Sequence, residues 1–130
     1  MTTVNVRYIV RDVAEAIAFY TTHLGFQLQL HPGPGFAQLA RGDLRMLLNA
    51  AGGSGGAAQA MPDGRRPEPG GWNRIQLEVH DLPALVERLR ADGAQFRNEI
   101  VNGNGGRQIL LEDPAGNLIE LFEPYGGERP

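Results

Sequence analysis

Glu120 stands in the run Leu118-Ile119-Glu120-Leu121-Phe122, a carboxylate with two apolar neighbours on either side. Carrying that group into apolar surroundings costs free energy unless a cation, a metal or several hydrogen-bond donors compensate it. The partner decides the chemistry. Beside a cation the carboxylate can act as a general base. Among further carboxylates or imidazoles it can hold a divalent metal, and in an ion pair it can form a polar, orienting surface. His23, His31 and His80 are the three imidazoles of the chain, a side-chain type suited to acid–base work. They fall at the end of a helical segment, before a Pro-Gly turn and beside Asp81, which are surface or strand-end places.

The elements that must position Glu120 occur twice. The segment VNVRYIVRD alternates, with Val6, Tyr8 and Val10 on one face and Asn5, Arg7 and Ile9 on the other. Asp12 then caps an amphipathic helix in which Ile17, Tyr20 and Leu24 recur, and Gly25 ends it. Strands are predicted over 26–31, 36–40 and 44–50, joined by HPGPG and by Gly42-Asp43. In the second half RIQLEVHD alternates into Asp81, Pro83 suits a first helical turn, and Gly93 closes the helix. Strands follow over 96–101, 108–112 and 118–123, with the turn Asp113-Pro114-Ala115-Gly116-Asn117 before the last. Each half therefore reads strand, helix, three strands. Residues 51–71, AGGSGGAAQAMPDGRRPEPGG, carry few apolar anchors and read as a linker or mobile loop that could act as a lid.

Composition narrows the function. A chain of 130 residues with 42% hydrophobic and 21% charged side chains supports one globular domain, here 1–130. It divides into a module at 1–50, the 51–71 linker, a module at 72–125 and a tail at 126–130. A net charge of −3, with its basic residues scattered, gives no footprint for nucleic acid. Without cysteine there are no disulfides and no thiolate chemistry. No run approaches the roughly 20 apolar residues of a membrane span, and the N-terminus lacks the pattern of a signal peptide. A soluble cytoplasmic protein is expected.

The duplicated module, the V-x-D entering each first helix and the stretch DPAGNLIEL resemble the vicinal oxygen chelate superfamily, which includes glyoxalases, extradiol dioxygenases and bleomycin-resistance proteins. The resemblance covers the chain outside the linker. It implies an α+β fold of two tandem βαβββ modules, with a curved mixed sheet around a cavity, helices outside, and a homodimer. In the enzymes of that superfamily metal ligands come from the first and last strand of each module. Those positions here are Asn5 and Arg74, with Met46 and Glu120 when the last strands are aligned through Gly42 and Gly116. Asparagine is a weak ligand, a thioether suits soft metals, and a guanidinium cannot bind a cation. No metal or other cofactor is therefore expected. Instead Arg74 and Glu120 should converge where a metal would sit, with the guanidinium in the cation's role.

The resemblance together with strand alternation gives a pocket wall. Leu118 and Phe122 share the face of Glu120, and Met46 and Leu48 should look in from the other module. Asn5, Arg7, Gln38, Arg74 and Gln76 supply polar groups, and Phe36 follows the HPGPG turn. Trp72, the only tryptophan, should begin the fifth strand, either as an edge-of-core aromatic or as a stacking plate at a cavity mouth. An apolar, partly aromatic wall with a few polar groups suits a small molecule. The expected function is metal-free sequestration of a hydrophobic or aromatic natural product or antibiotic, in the manner of drug resistance. The alternative is a glyoxalase- or dioxygenase-like enzyme using Glu120 as metal ligand or general base.

Overall fold

The computed structural model describes residues 3–53 and 56–127. The chain divides into two compact units, Met1–Gly70 and Gly71–Pro130.

In the first unit β1 (Val4–Val10) leads to α1 (Val13–His23), then β2 (Gln27–Gly33), β3 (Phe36–Arg41) and β4 (Leu44–Ala50). The sheet order is β1-β4-β3-β2, with β1 parallel to β4 and the other pairs antiparallel. A parallel neighbour needs a long crossover, and here α1, β2 and β3 lie between the two strands in sequence. Asp12 caps α1 by accepting from the Glu15 N–H at 3.1 Å. Gly25, at φ +73°, takes the left-handed turn that follows the helix. The helix buries Val13, Ala16 and Tyr20. Tyr20 makes edge-on ring contacts with Tyr8, Phe26 and Phe19, which fixes the face of the sheet that α1 covers. Tyr8, Val10, Ala37, Leu39, Met46 and Leu48 are all buried.

The second unit repeats the plan. β5 (Ile75–Glu78) precedes α2 (Leu82–Ala91), then β6 (Gln95–Phe96), β7 (Val101–Asn102), β8 (Gly106–Glu112) and β9 (Leu118–Pro124). The order is β5-β9-β8-β6, with β7 also on β8, and β5 is parallel to β9. Leu77, Ile109, Leu111, Ile119 and Leu121 are buried together with Leu82, Val86 and Leu89 of α2. Asp81 starts α2 in the left-handed region at φ 49°, and its side chain accepts from the Ala84 N–H at 3.4 Å. Glu123 of β9 completes that end, accepting from the N–H groups of Asp81 at 2.7 Å and Leu82 at 3.0 Å. One helix start is thus tied to the last strand of its own sheet.

The predicted strand over 96–101 breaks into β6 and β7. Asn98 Oδ1 accepts from the Leu110 N–H at 3.0 Å, so a side chain takes a ladder position that backbone would otherwise fill. The Asp113–Asn117 turn closes on itself. Asp113 accepts from the N–H groups of Ala115 and Asn117, both at 2.9 Å, and from Asn117 Nδ2 at 3.0 Å. Both residues are buried and satisfied. Gly106 has a different reason. A Cβ there would lie 2.2 Å from the Glu123 carbonyl oxygen and 2.8 Å from the Phe122 ring.

Residues 51–70 group with the first unit. A single 3₁₀ turn spans Gly56–Ala58, Ala58 is buried, and the Gly52 N–H donates to the Ala58 carbonyl at 2.9 Å. Residues 54–55 of the expected linker and 128–130 of the expected tail lie outside the described residues. No helix among the described residues is long and apolar enough to cross a membrane.

Candidate functional site

Strand pairing decides which side chains can meet. In the second unit Gln76 lies opposite Glu120, and Glu120 in turn opposite Leu110. Alternation adds Arg74, Leu118, Phe122, Gln108 and Glu112 to this face, which is turned away from α2. Arg90 of α2 packs over Phe96, which pairs with Leu111 on the helix side.

On that face Glu120 is 8% exposed and fully engaged. Arg74 donates to Oε1 through Nε at 3.1 Å and Nη2 at 2.9 Å, and Gln76 Nε2 donates to Oε2 at 2.7 Å. Compensation for the buried carboxylate is therefore local, one guanidinium and one carboxamide. Arg74 Nη1 continues to the Trp72 carbonyl at 3.2 Å, so the pair also braces the chain ahead of β5. Trp72 does not begin that strand; it stands three residues before it and is 70% exposed. The Arg97 guanidinium lies over its ring at 6.0 Å from the centroid, and Arg97 Nε donates to Glu112.

The donor set at Glu120 does not fit a divalent metal. Its oxygens already accept three hydrogen bonds and a fixed positive charge sits against them. Among the described residues no three His, Cys, Asp or Glu side chains cluster to hold a metal ion. His23 packs its ring against Phe19, while His31 and His80 are exposed.

In the first unit the face turned away from α1 carries Asn5, Arg7, Ile9, Phe36, Gln38, Arg45, Leu47 and Asn49, as the pairings Arg7–Leu47, Gln38–Leu47 and Phe36–Asn49 require. Asn5, Arg7, Phe36 and Gln38 thus fall on one face, as alternation predicts. Met46 and Leu48 do not join them. Their strand partners are Val6 and Tyr8, so they belong to the layer beneath α1, each fully buried. The position equivalent to Glu120 is Leu47, because Leu47 faces Arg7 as Glu120 faces Gln76. Alignment through Gly42 and Gly116 slips by one residue, since one turn is a two-residue hairpin and the other spans five residues. Next to Leu47's face partners stands an unexpected group: Asn49 is 3% exposed and its Oδ1 has no hydrogen-bond partner among the described residues.

The model of the Glyoxalase/Bleomycin resistance protein/Dioxygenase superfamily matches residues 3–121. The chain belongs to that superfamily. The expected α+β plan of the superfamily holds: the described residues form two α-helices and two mixed sheets, with the same strand order in each unit. Among solved superfamily structures, a glyoxalase/bleomycin resistance protein/dioxygenase from Nocardioides is 27% identical, with a TM-score of 0.71 over 100% of this chain and 87% of the other. TnmS3, an antibiotic binding protein from a Streptomyces species, is 26% identical, with a TM-score of 0.70 over 95% of this chain and 96% of its own. A lactoylglutathione lyase from Agrobacterium tumefaciens shares the fold at 21% identity and a TM-score of 0.72, over 94% of this chain and 92% of its own. Binders and enzymes thus share this scaffold, and the side chains on the faces must distinguish them.

Arg97, Glu112, Leu47 and Asn49 escaped the sequence reading. Counting alternation back from Glu120 across β8 would have found Glu112. The break at Asn98 hides Arg97.

Proposed function

We propose that the protein is a metal-free small-molecule binding protein that sequesters a hydrophobic or aromatic natural product or antibiotic. The observation that carries this reading is the environment of Glu120. The superfamily's enzymes, by the resemblance above, use that position for a metal, and here Arg74 and Gln76 occupy both of its oxygens. An engaged carboxylate of this kind forms a polar surface that orients a ligand. Taken separately, each unit has a sheet face with the side-chain types that binding requires: Leu118, Phe122 and Gln76 beside Glu120 in the second unit, with Trp72 ahead of β5, and Phe36, Leu47, Asn5, Arg7 and Gln38 in the first. The likeness to TnmS3 supports the ligand class. The reading extends to a homodimer acting in the cytoplasm.

The test joins metal analysis to ligand binding. Purified protein incubated with Zn, Ni, Mn or Fe(II) should retain no stoichiometric metal and show no rise in Tm. A panel of aromatic antibiotics should contain members that raise Tm and perturb Trp72 fluorescence. One metal per chain with a raised Tm would overturn the reading in favour of the enzyme. Glu120→Gln then separates catalysis from binding, since a general base would lose turnover while a binder keeps most of its affinity.

A further inference from the structure

Trp72 poses a question that fold stability does not answer. The residue is 70% exposed, so it contributes little to the core, yet it is contacted at its backbone and at its ring. Arg74 fixes its carbonyl at 3.2 Å, and Arg97 lies over its ring. Each arginine is itself anchored by a carboxylate, Arg74 by Glu120 and Arg97 by Glu112. A large aromatic placed in solvent, with its backbone braced and a cation over its ring, is preorganised to stack.

We infer that Trp72 and Arg97 form a stacking subsite for a planar aromatic ligand that carries an anionic group, a carboxylate or phenolate, at its edge. The inference rests on the small-molecule reading above and names the ligand's chemistry. A cation over one face of an indole sets a positive potential at that spot, which disfavours a second cation. A flat ring that overlaps the indole in part, beside the guanidinium on the same face, keeps its edge within reach of it. Arg97 commits its Nε to Glu112, and its side chain is 37% exposed. That exposure leaves the guanidinium reachable from solvent. A guanidinium recognises a carboxylate through paired N–H donors. A cationic aromatic gains the same stacking without that match and meets repulsion, so charge is the discriminating variable.

Because Trp72 is the only tryptophan, its indole N–H gives one resonance in a ¹H–¹⁵N spectrum. The probes are 2-naphthoate, neutral 2-naphthamide and cationic 2-(aminomethyl)naphthalene. The naphthoate should shift that resonance saturably and bind about tenfold more tightly than the cation, a difference of about 1.4 kcal/mol. Arg97→Gln should level naphthoate with naphthamide, and Trp72→Ala should abolish the binding of all three. Glu112→Gln, which keeps Arg97 and removes its neutralising partner, should tighten naphthoate several-fold. A stationary indole resonance at millimolar probe overturns the subsite, as does equal binding of anion and cation. Calorimetric binding of naphthoate with the resonance unmoved overturns the subsite alone and leaves the small-molecule reading standing. That reading fails separately, if no antibiotic in the panel raises Tm.

Discussion

Arg74 spends two of its nitrogens on a single oxygen of Glu120, at 3.1 and 2.9 Å, and leaves the other oxygen to Gln76. The geometry differs from a fork-to-fork pair, in which each nitrogen takes its own oxygen. Its effect is that three side chains, not two, settle the carboxylate.

Removing Arg74 should therefore harm the protein more than removing the whole arrangement. Arg74→Ala leaves a buried carboxylate with one neutral donor, which should cost about 1–3 kcal/mol. Arg74→Met combined with Glu120→Leu should recover most of that loss, as apolar replacements of ion pairs often do. A double-mutant cycle in urea measures the coupling. Additive losses would show that the pair is not coupled.

Glu123 should make the stability of the second unit depend on acidity. The backbone N–H of Leu82 is the main cause that holds its carboxyl below the usual range, and the Asp81 N–H and Arg107 act in the same direction. A group depressed on folding stabilises fully above its unfolded value, about 4.3 for glutamate, and that contribution fades as pH falls through the lower folded value. Glu123→Gln should thus lie below wild type near pH 7 and converge with it in acid. Glu123→Ala removes a helix-end acceptor and should cost about 1–2 kcal/mol at neutral pH. Parallel melting curves from pH 7 to pH 2 check this, and a difference that stayed flat across that range would refute the cap.

The face assignment in β4 can be checked by two neighbouring substitutions. Met46→Ala opens a cavity beneath α1 and should cost about 2–5 kcal/mol. Leu47 is only half-buried, so Leu47→Ala should cost about 1 kcal/mol while weakening ligand binding. The reverse ranking would place the strand one residue out of register.

Gly106→Ala should lower the urea midpoint without changing the slope of the transition. Its methyl would strike the Glu123 carbonyl and the Phe122 ring, and such overpacking costs about 1–3 kcal/mol. An unchanged midpoint would mean that the strand shifts freely there.

Much of this was legible in the residues. Asp12 and Asp81 announce helix starts by the oxygen they offer, and Gly25 and Gly93 announce helix ends by the left-handed turns they permit. Alternation sorted Asn5, Arg7 and Ile9 from Val6, Tyr8 and Val10 because each strand buries one face. Glu120 advertised a partner by its apolar neighbours, and superfamily likeness pointed to Arg74. What stayed hidden depends on contacts between distant segments. Met46 and Leu48 were misplaced because parity in β4 is set by a turn length, and one residue reverses every side chain. The left-handed start at Asp81 and its acceptor Glu123 lie on different elements, so nothing local signals their meeting. Asn98's intrusion into the β8 ladder was invisible for the same reason.

Asn49 carries a consequence for the protein's evolvability. Its buried carboxamide oxygen meets no donor among the described residues; an oxygen left so costs about 1–3 kcal/mol of desolvation, and a near-isosteric leucine would remove that deficit. Asn49→Leu should melt a few degrees higher. Natural chains sit close to the least stability that function tolerates, and most new side chains on a recognition surface subtract from it. A lineage holding Asn49 keeps a single substitution in hand that would offset one such loss, so the first unit has headroom to acquire a new specificity without unfolding.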